Sequence, residues 1–323
     1  MEPDVSYTTE EIAKLLKISK LTVYDLIKKG ELPAYRVGKQ MRVDARDLNA
    51  YKQRAKGGGM LRPEGGTAGS PDPGAATPAS AIPATARANA AQLVITGQDV
   101  GLDLLARHLE KRLPGVRPLR SYAGSMDSLI AMYRGEADIV STHLLDGDSG
   151  EYNTPYIRRL LSGFSYVIVN LVSRQAGLYV AEGNPLGLSG WPDLGRPSLR
   201  LVNREKGSGA RVLLDEQLRL HAIPRERIIG YEHEETSHLA VAAKVRAGEA
   251  DVGIGIEKAA AIVGVGFVPL IRERYDLVML KTPATAPWLP AVLELLQDRD
   301  FRAELSSLQG YDVSQTGRIW LET

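Results

Sequence analysis

The hexapeptide Arg134-Gly-Glu-Ala-Asp-Ile139 recurs 113 residues later as Ala247-Gly-Glu-Ala-Asp-Val252. In each copy a helical pattern runs into glycine, the usual left-handed stop, and an apolar β-branched run follows. The surroundings repeat as well. Upstream of the first copy, Leu93–Thr96 reads as a strand, Gly97-Gln98-Asp99 as a turn, Leu102–Leu113 as a helix and Arg117–Tyr122 as a strand. Gly124-Ser125 then opens the helix that ends at Arg134, and Asp138–Thr142 is the next strand. Around the second copy, Leu199–Asn203 reads as a strand, and Lys206-Gly-Ser-Gly-Ala-Arg211 is a glycine turn opening a helix to His221. Ile228–Glu232 reads as a strand, Thr236-Ser237 opens a helix through Arg246, and Asp251–Ile256 closes the unit. Each copy is βαβαβ, which predicts two α/β lobes built on parallel sheets.

In such sheets ligands bind outside the carboxyl ends of the strands. Four turns lie at those ends, and each opens a helix. The first N–H groups of a helix have no internal partner and carry partial positive charge, so facing lobes would aim four such groups at one cleft. The expected ligand-binding residues are Gly97, Gln98 and Asp99; Gly124, Ser125 and Met126; Lys206, Gly207, Ser208, Gly209 and Arg211; and Thr236 and Ser237, with Thr142, His143 and His238 beside them. The hydroxyls donate, Lys206 and Arg211 add charge, and an oxyanion or carboxylate fits such a site.

Residues 1–56 differ in character. They hold 12 Lys or Arg against 8 Asp or Glu, a net of +4, whereas the whole chain carries only +1. A basic patch on a small module is the footprint of a phosphate-backbone partner. Thr8-Thr-Glu-Glu11 is a capping box for a first helix. Ser19 caps a second helix marked by Leu21, Val23, Leu26 and Ile27, and Tyr35–Val43 reads as a hairpin. Asp44 then opens a last helix through about Arg54. This is a winged helix-turn-helix pattern. Lys20, Thr22, Tyr24 and Lys28 would enter the major groove, and Arg36, Lys39 and Arg42 would meet phosphates or the minor groove.

Residues 57–91 contain ten Ala, seven Gly and five Pro with no apolar periodicity, which predicts a disordered linker. The 323-residue chain therefore divides into a DNA-binding module (1–56), a linker (57–91) and a two-lobed domain (92–323). Lobe 1 is expected at about 92–175 and 274–323, and lobe 2 at about 176–273. The absence of cysteine excludes disulfides, zinc-thiolate and iron–sulfur sites and thiol nucleophiles. The polar start Met1–Glu11 does not read as a secretory signal, and no apolar run approaches a membrane span. A cytoplasmic protein is expected.

Two resemblances follow from these motifs. The runs Tyr7–Leu16, Ser19–Tyr24 and Gly30–Lys39 resemble the excisionase branch of the MerR-like helix-turn-helix families, although such modules often carry Arg where this chain has Asp25. Gly124–Leu129, Gly135–Asp146, Gly177–Pro185, Lys206–Asp215 and Ser237–Ala243 resemble the type 2 periplasmic-binding-protein fold. Within that fold they look most like its cytoplasmic branch, related to molybdate- and tungstate-binding proteins. The resemblances imply a one-component regulator. It would bind operator DNA as a homodimer or higher oligomer, sense molybdate or tungstate, and carry no cofactor, metal or catalytic residue. A molybdenum-cofactor-related or organic anion is the alternative effector.

Other readings stay open. The chain could serve as an excisionase-like DNA-architecture factor. It could also be an enzyme acting on an anionic metabolite, for which Glu234 and Glu235 near His238 are the acid–base candidates. His233–His238 lacks the spacing of a helical zinc pair. His108 and His221 read as solvent-facing.

Overall fold

A computed structural model describes residues 6–16, 23, 26–27, 32–37, 40–56 and 91–323. The chain divides into two compact units on either side of residues 79–80. Residues 57–90 of the expected linker lie outside the described residues, and Ala91 opens a strand.

In the first unit, β1 (Ser6–Thr8) leads directly into α1 (Thr9–Leu16). The capping box is reciprocal: Glu11 N donates to Thr8 Oγ1 at 3.3 Å, and Thr8 N donates to Glu11 Oε2 at 2.8 Å. β2 (Tyr35–Val37) and β3 (Gln40–Asp44) form the hairpin, and α2 (Ala45–Lys56) follows. Contrary to the two-stranded expectation, β1 joins β3 to make a three-stranded sheet. Val23, Leu26 and Ile27 are helical, and Val23 packs with Ile12, Leu32, Val43 and Leu48 in a small core.

The second unit is organised by two strands of fifteen residues, β7 (Tyr166–Val180) and β11 (Gly266–Leu280), paired antiparallel along their length. β7 is buried almost throughout, as a central strand covered on both faces must be. In lobe 1, β4 (Ala91–Thr96), β5 (Val116–Ser121) and β6 (Ile139–Thr142) are mutually parallel. In lobe 2, β8 (Leu201–Arg204), β9 (Glu234–Glu235) and β10 (Val252–Ile256) are parallel. The crossing strands run antiparallel to both sets, so one mixed sheet orders β5-β4-β6-β11-β7-β10-β8-β9. The purely parallel expectation is corrected in this respect. β12 (Tyr311–Asp312) and β13 (Ile319–Glu322) add to β7.

Alternate residues of the lobe 1 strands feed opposite faces. Leu93, Ile95, Val167, Val169 and Leu277 pack under α3 (Gly101–Arg112), α9 (Leu289–Gln297) and α10 (Arg299–Ser306). Val140, Ile168 and Val278 pack under α4 (Ser125–Tyr133) and α5 (Thr154–Leu160). Lobe 2 places α6 (Gly209–Leu220) on one face, with α7 (His238–Arg246) and α8 (Glu257–Val263) on the other.

The repeated hexapeptide does the same work twice. Gly135 and Gly248 have φ of +74° and +71° and end α4 and α7. The next N–H returns to the helix in both cases, Glu136 to Ala131 O and Glu249 to Lys244 O. Each Asp then binds the N–H of the adjoining chain: Asp138 Oδ2 accepts from Val94 N at 2.7 Å, and Asp251 Oδ2 from Arg200 N at 2.8 Å. One expected strand fails. Ile228–Glu232 makes only a single bridge, Ile229 to Arg200, and the pairing falls to Glu234–Glu235. Gly230 at φ +86° turns the chain there, and a Cβ would collide with Leu201 O.

Candidate functional site: an interlobe cleft

A cleft of about 520 Å³ lies between the lobes. All four predicted turns reach it. Lobe 1 contributes Gly97, Gln98 and Asp99, then Gly124 and Ser125, with His143 behind them. Lobe 2 contributes Ser208 and Gly209, then Thr236, Ser237 and His238. Ser208 caps α6, its Oγ accepting from Arg211 N at 3.3 Å, and Ser237 caps α7 by accepting from Ala240 N at 3.1 Å. Ser125 instead accepts from His143 N at 3.3 Å, tying the start of α4 to the end of β6.

Five expected residues do not line the cleft. Lys206 is exposed and faces Glu232 at 3.5 Å on the outer side of lobe 2. Arg211 is buried against Glu234 at 2.9 Å and Asp215 at 3.2 Å, with Tyr231 stacked 4.3 Å away. A residue two positions into a helix points back over its own turn, away from the ligand side. Thr142 is fully buried, and its hydroxyl donates to Asn153 Oδ1 at 3.1 Å. The Met126 side chain packs on the lobe 1 core. Met126 N donates across the cleft to Gly207 O at 3.0 Å, so both residues serve lobe contact. Glu234 is engaged with Arg211, and neither it nor Glu235 lines the cleft, which removes the acid–base candidates. His108 is half-buried and binds Glu304 at 2.8 Å, not free in solvent as expected.

The floor comes from residues the sequence reading did not single out. Arg174 on β7 is 4% exposed. Its Nε donates to Glu273 Oε1 at 2.5 Å, its Nη1 donates to Asp99, and Tyr275 lies 4.4 Å below it. Asp99 also accepts from Gly101 N at 2.7 Å and from Tyr311 Oη at 2.5 Å. The second oxygen of Glu273 meets His143 Nδ1 at 3.1 Å. Burial acts to raise the Glu273 carboxyl, but the Arg174 charge and the His143 contact outweigh it and hold the group well below the usual carboxylate range. Arg204 ends β8 and holds Gln98 Oε1 at 2.6 Å and Glu205 at 2.7 Å, a second bridge between the lobes. The available signal was a charged residue inside a buried strand, which must be paired.

His238 is the polar group left over. Its Nδ1 is sealed from solvent without a hydrogen-bond partner. Burial, with the Arg204 and Arg174 charges nearby, holds the imidazole well below its usual pKa, so it is neutral at physiological pH. Among the described residues no group of three or more His, Asp and Glu is placed to hold a metal ion. None of their helices is long and apolar enough to cross a membrane.

Of the expected DNA-binding residues, Lys20, Thr22, Tyr24, Lys28 and Lys39 lie outside the described residues. Arg36 falls on β2. Arg42, on β3, donates to Ser6 Oγ at 3.3 Å, which ties the hairpin to β1.

Residues 6–56 match the family described as a helix-turn-helix domain, and residues 106–297 match the PBP superfamily domain. Uncharacterized protein YvgK of Bacillus subtilis (strain 168) is 49% identical over 323 residues, covering all of both chains. An uncharacterized protein from the 5′ region of a ferredoxin 2Fe-2S gene in Clostridium pasteurianum is 43% identical over 112 residues, which are 34% of this chain and 99% of that one. Among solved structures, EhuB in complex with hydroxyectoine aligns with a TM-score of 0.51 at 13% identity, covering 71% of this chain and 91% of that one, a likeness of fold. The chain thus belongs to the PBP superfamily and joins a helix-turn-helix domain to its two-lobed binding domain.

Proposed function

We propose that this chain is a one-component DNA-binding transcriptional regulator that works in the cytoplasm and takes a small anion as effector in the interlobe cleft. One observation carries the reading: four helix-opening turns, two from each lobe, converge on one cleft and bring Ser125, Ser208 and Ser237 with them. The resemblance makes molybdate and tungstate the first candidates. A ligand acts only through different affinity for two states, here open and closed lobes. Met126–Gly207 and Gln98–Arg204 bridge the lobes, and opening them would break both contacts. A homodimer on a two-fold operator is the simplest DNA-binding form.

Isothermal titration of the full chain with molybdate, tungstate, sulfate and phosphate tests the effector, and DNA binding with and without the best of them tests the coupling. Saturable binding with a changed DNA affinity is expected. Silence towards all four oxyanions removes the inorganic reading. A second reading, an organic anion, is favoured by the cleft volume of about 520 Å³, which falls in the range that encloses organic ligands.

A further inference from the structure

Three cationic side chains line the cleft: Arg174, Arg204 and Lys258. The first two are neutralised within the protein. Arg174 lies between Asp99 and Glu273, and Arg204 is held by Glu205. Lys258, the second residue of α8, has no carboxylate within ion-pair distance among the described residues. Its Nζ rests over the Tyr311 ring, 4.7 Å from the centroid. Burial holds its ammonium below the usual lysine range against the pull of the Asp99 carboxylate, which Arg174 already engages, so the charge there is incompletely solvated. An ammonium in that setting is strongly stabilised by an arriving anion.

Ile262 lies one helical turn beyond Lys258, on the same face of α8. It lines the cleft together with Leu239 of α7 and, from lobe 1, Tyr122. Ile262 and Tyr122 are 64% and 69% exposed, so apolar side chains of both lobes stand in the same cleft as a cation without an ion pair. Apolar side chains gathered at a pocket mouth mark the surface a ligand covers. The volume points the same way. At about 520 Å³ the cleft falls in the range that encloses organic ligands.

We propose that the cleft selects an organic anion, with its acidic group on Lys258 and its apolar body against Ile262, Leu239 and Tyr122. This assignment rests on the cleft being the effector site and names the ligand class that site takes. The neutral His238 lines the same cleft and adds no charge to it.

The test is isothermal titration of the full chain with phenyl phosphate and benzoate, set against inorganic phosphate and molybdate. At least one aromatic anion should bind about tenfold more tightly than either inorganic ion, and the stronger of the two identifies the acidic group as phosphate or carboxylate. Lys258→Gln should weaken that binding about tenfold, and Lys258→Arg should restore most of it. Ile262→Ser should weaken the aromatic anion about tenfold and leave inorganic phosphate unchanged. Thermal unfolding of each variant close to that of the parent shows the fold is intact. Tighter binding of phosphate or molybdate than of both aromatic anions overturns the proposal while leaving the effector cleft standing. Equal aromatic-anion affinity in the parent and Lys258→Gln also overturns it. Silence towards all four probes removes the effector cleft as well.

Discussion

β11 carries two buried carboxylates three residues apart, and their surroundings shift them in opposite directions. Glu273 faces a guanidinium as buried as itself, and the Arg174 charge outweighs the burial cost and keeps the carboxyl strongly acidic. Asp276 accepts four hydrogen bonds, from Asn153 at 2.8 Å, Asn170 at 2.9 Å, Trp320 at 3.1 Å and Arg274 at 2.7 Å. Three of those donors are neutral. Burial is therefore the larger effect there, and the Asp276 carboxyl is raised above its ordinary value in spite of its partners. A register shift of β11 against β7 falls between Tyr275 and Asp276 and divides the two environments. The charges of the cleft floor are already committed to one another, so the floor is a rigid polar platform. In the proposed effector site, discrimination would then fall to groups outside that cluster, Lys258 among them.

The largest effect follows from removing the shared cation. Arg174→Met leaves Asp99 and Glu273 buried without their charge partner and should cost about 3–5 kcal/mol. Urea unfolding of variant and parent at neutral pH measures it. Glu273→Gln in the same chain should return part of the loss, because one uncompensated charge disappears with it. A cost below about 1 kcal/mol would mean the floor is not held by its ion cluster.

The opposite shifts predict opposite pH slopes. The Glu273 carboxyl is depressed below its ordinary 4.5, so its stabilisation is complete above that value and is lost as pH falls below it. The Asp276 carboxyl is raised above its ordinary 3.8, so the contribution of its titration is complete below that value and is lost as pH rises through the folded-state value. The stability advantage of the parent over Glu273→Gln should therefore shrink on acidification. Its advantage over Asp276→Asn should shrink as pH rises. Each slope is on the order of 1 kcal/mol per pH unit at its steepest. Denaturation curves of the three proteins across the acidic to neutral range decide it, and slopes of the same sign would break the comparison.

The two regions also differ in how far they could be read from the residues. The cleft turns were legible because local chemistry dictates them. Gly97 sits at φ +135°, where a Cβ would collide with Ser141 Oγ, and Ser208 and Ser237 are caps whose partners lie three residues away. The duplicated Gly-Glu-Ala-Asp was legible for the same reason, since its glycine stop and strand-binding carboxylate follow from short-range rules. The ion cluster was not. Arg174 and Glu273 are brought together by the pairing of two strands about a hundred residues apart, Asp99 reaches them from the turn after β4, and Tyr166–Val180 is buried without a period that marks its length. Lys206 and Arg211 failed for a related reason. The turn was placed correctly, but the direction of its long side chains was set by Glu232, Glu234 and Asp215, which no local pattern reveals.

The smallest effect separates the hydrogen bonds of the floor from its charges. Tyr311 donates to Asp99 Oδ1, while Arg174 and Gly101 N hold the same carboxylate. Tyr311→Phe removes one of three donors and keeps both the aromatic ring under Lys258 and the ion cluster. The expected cost is about 1–2 kcal/mol, the range for one hydrogen bond to a charged acceptor. It should be well below that of Arg174→Met in the same urea series. Equal costs would show that the guanidinium gives Asp99 no more than a single hydrogen bond does, and the contrast with Asp276, three of whose four donors are neutral, would then lose its basis.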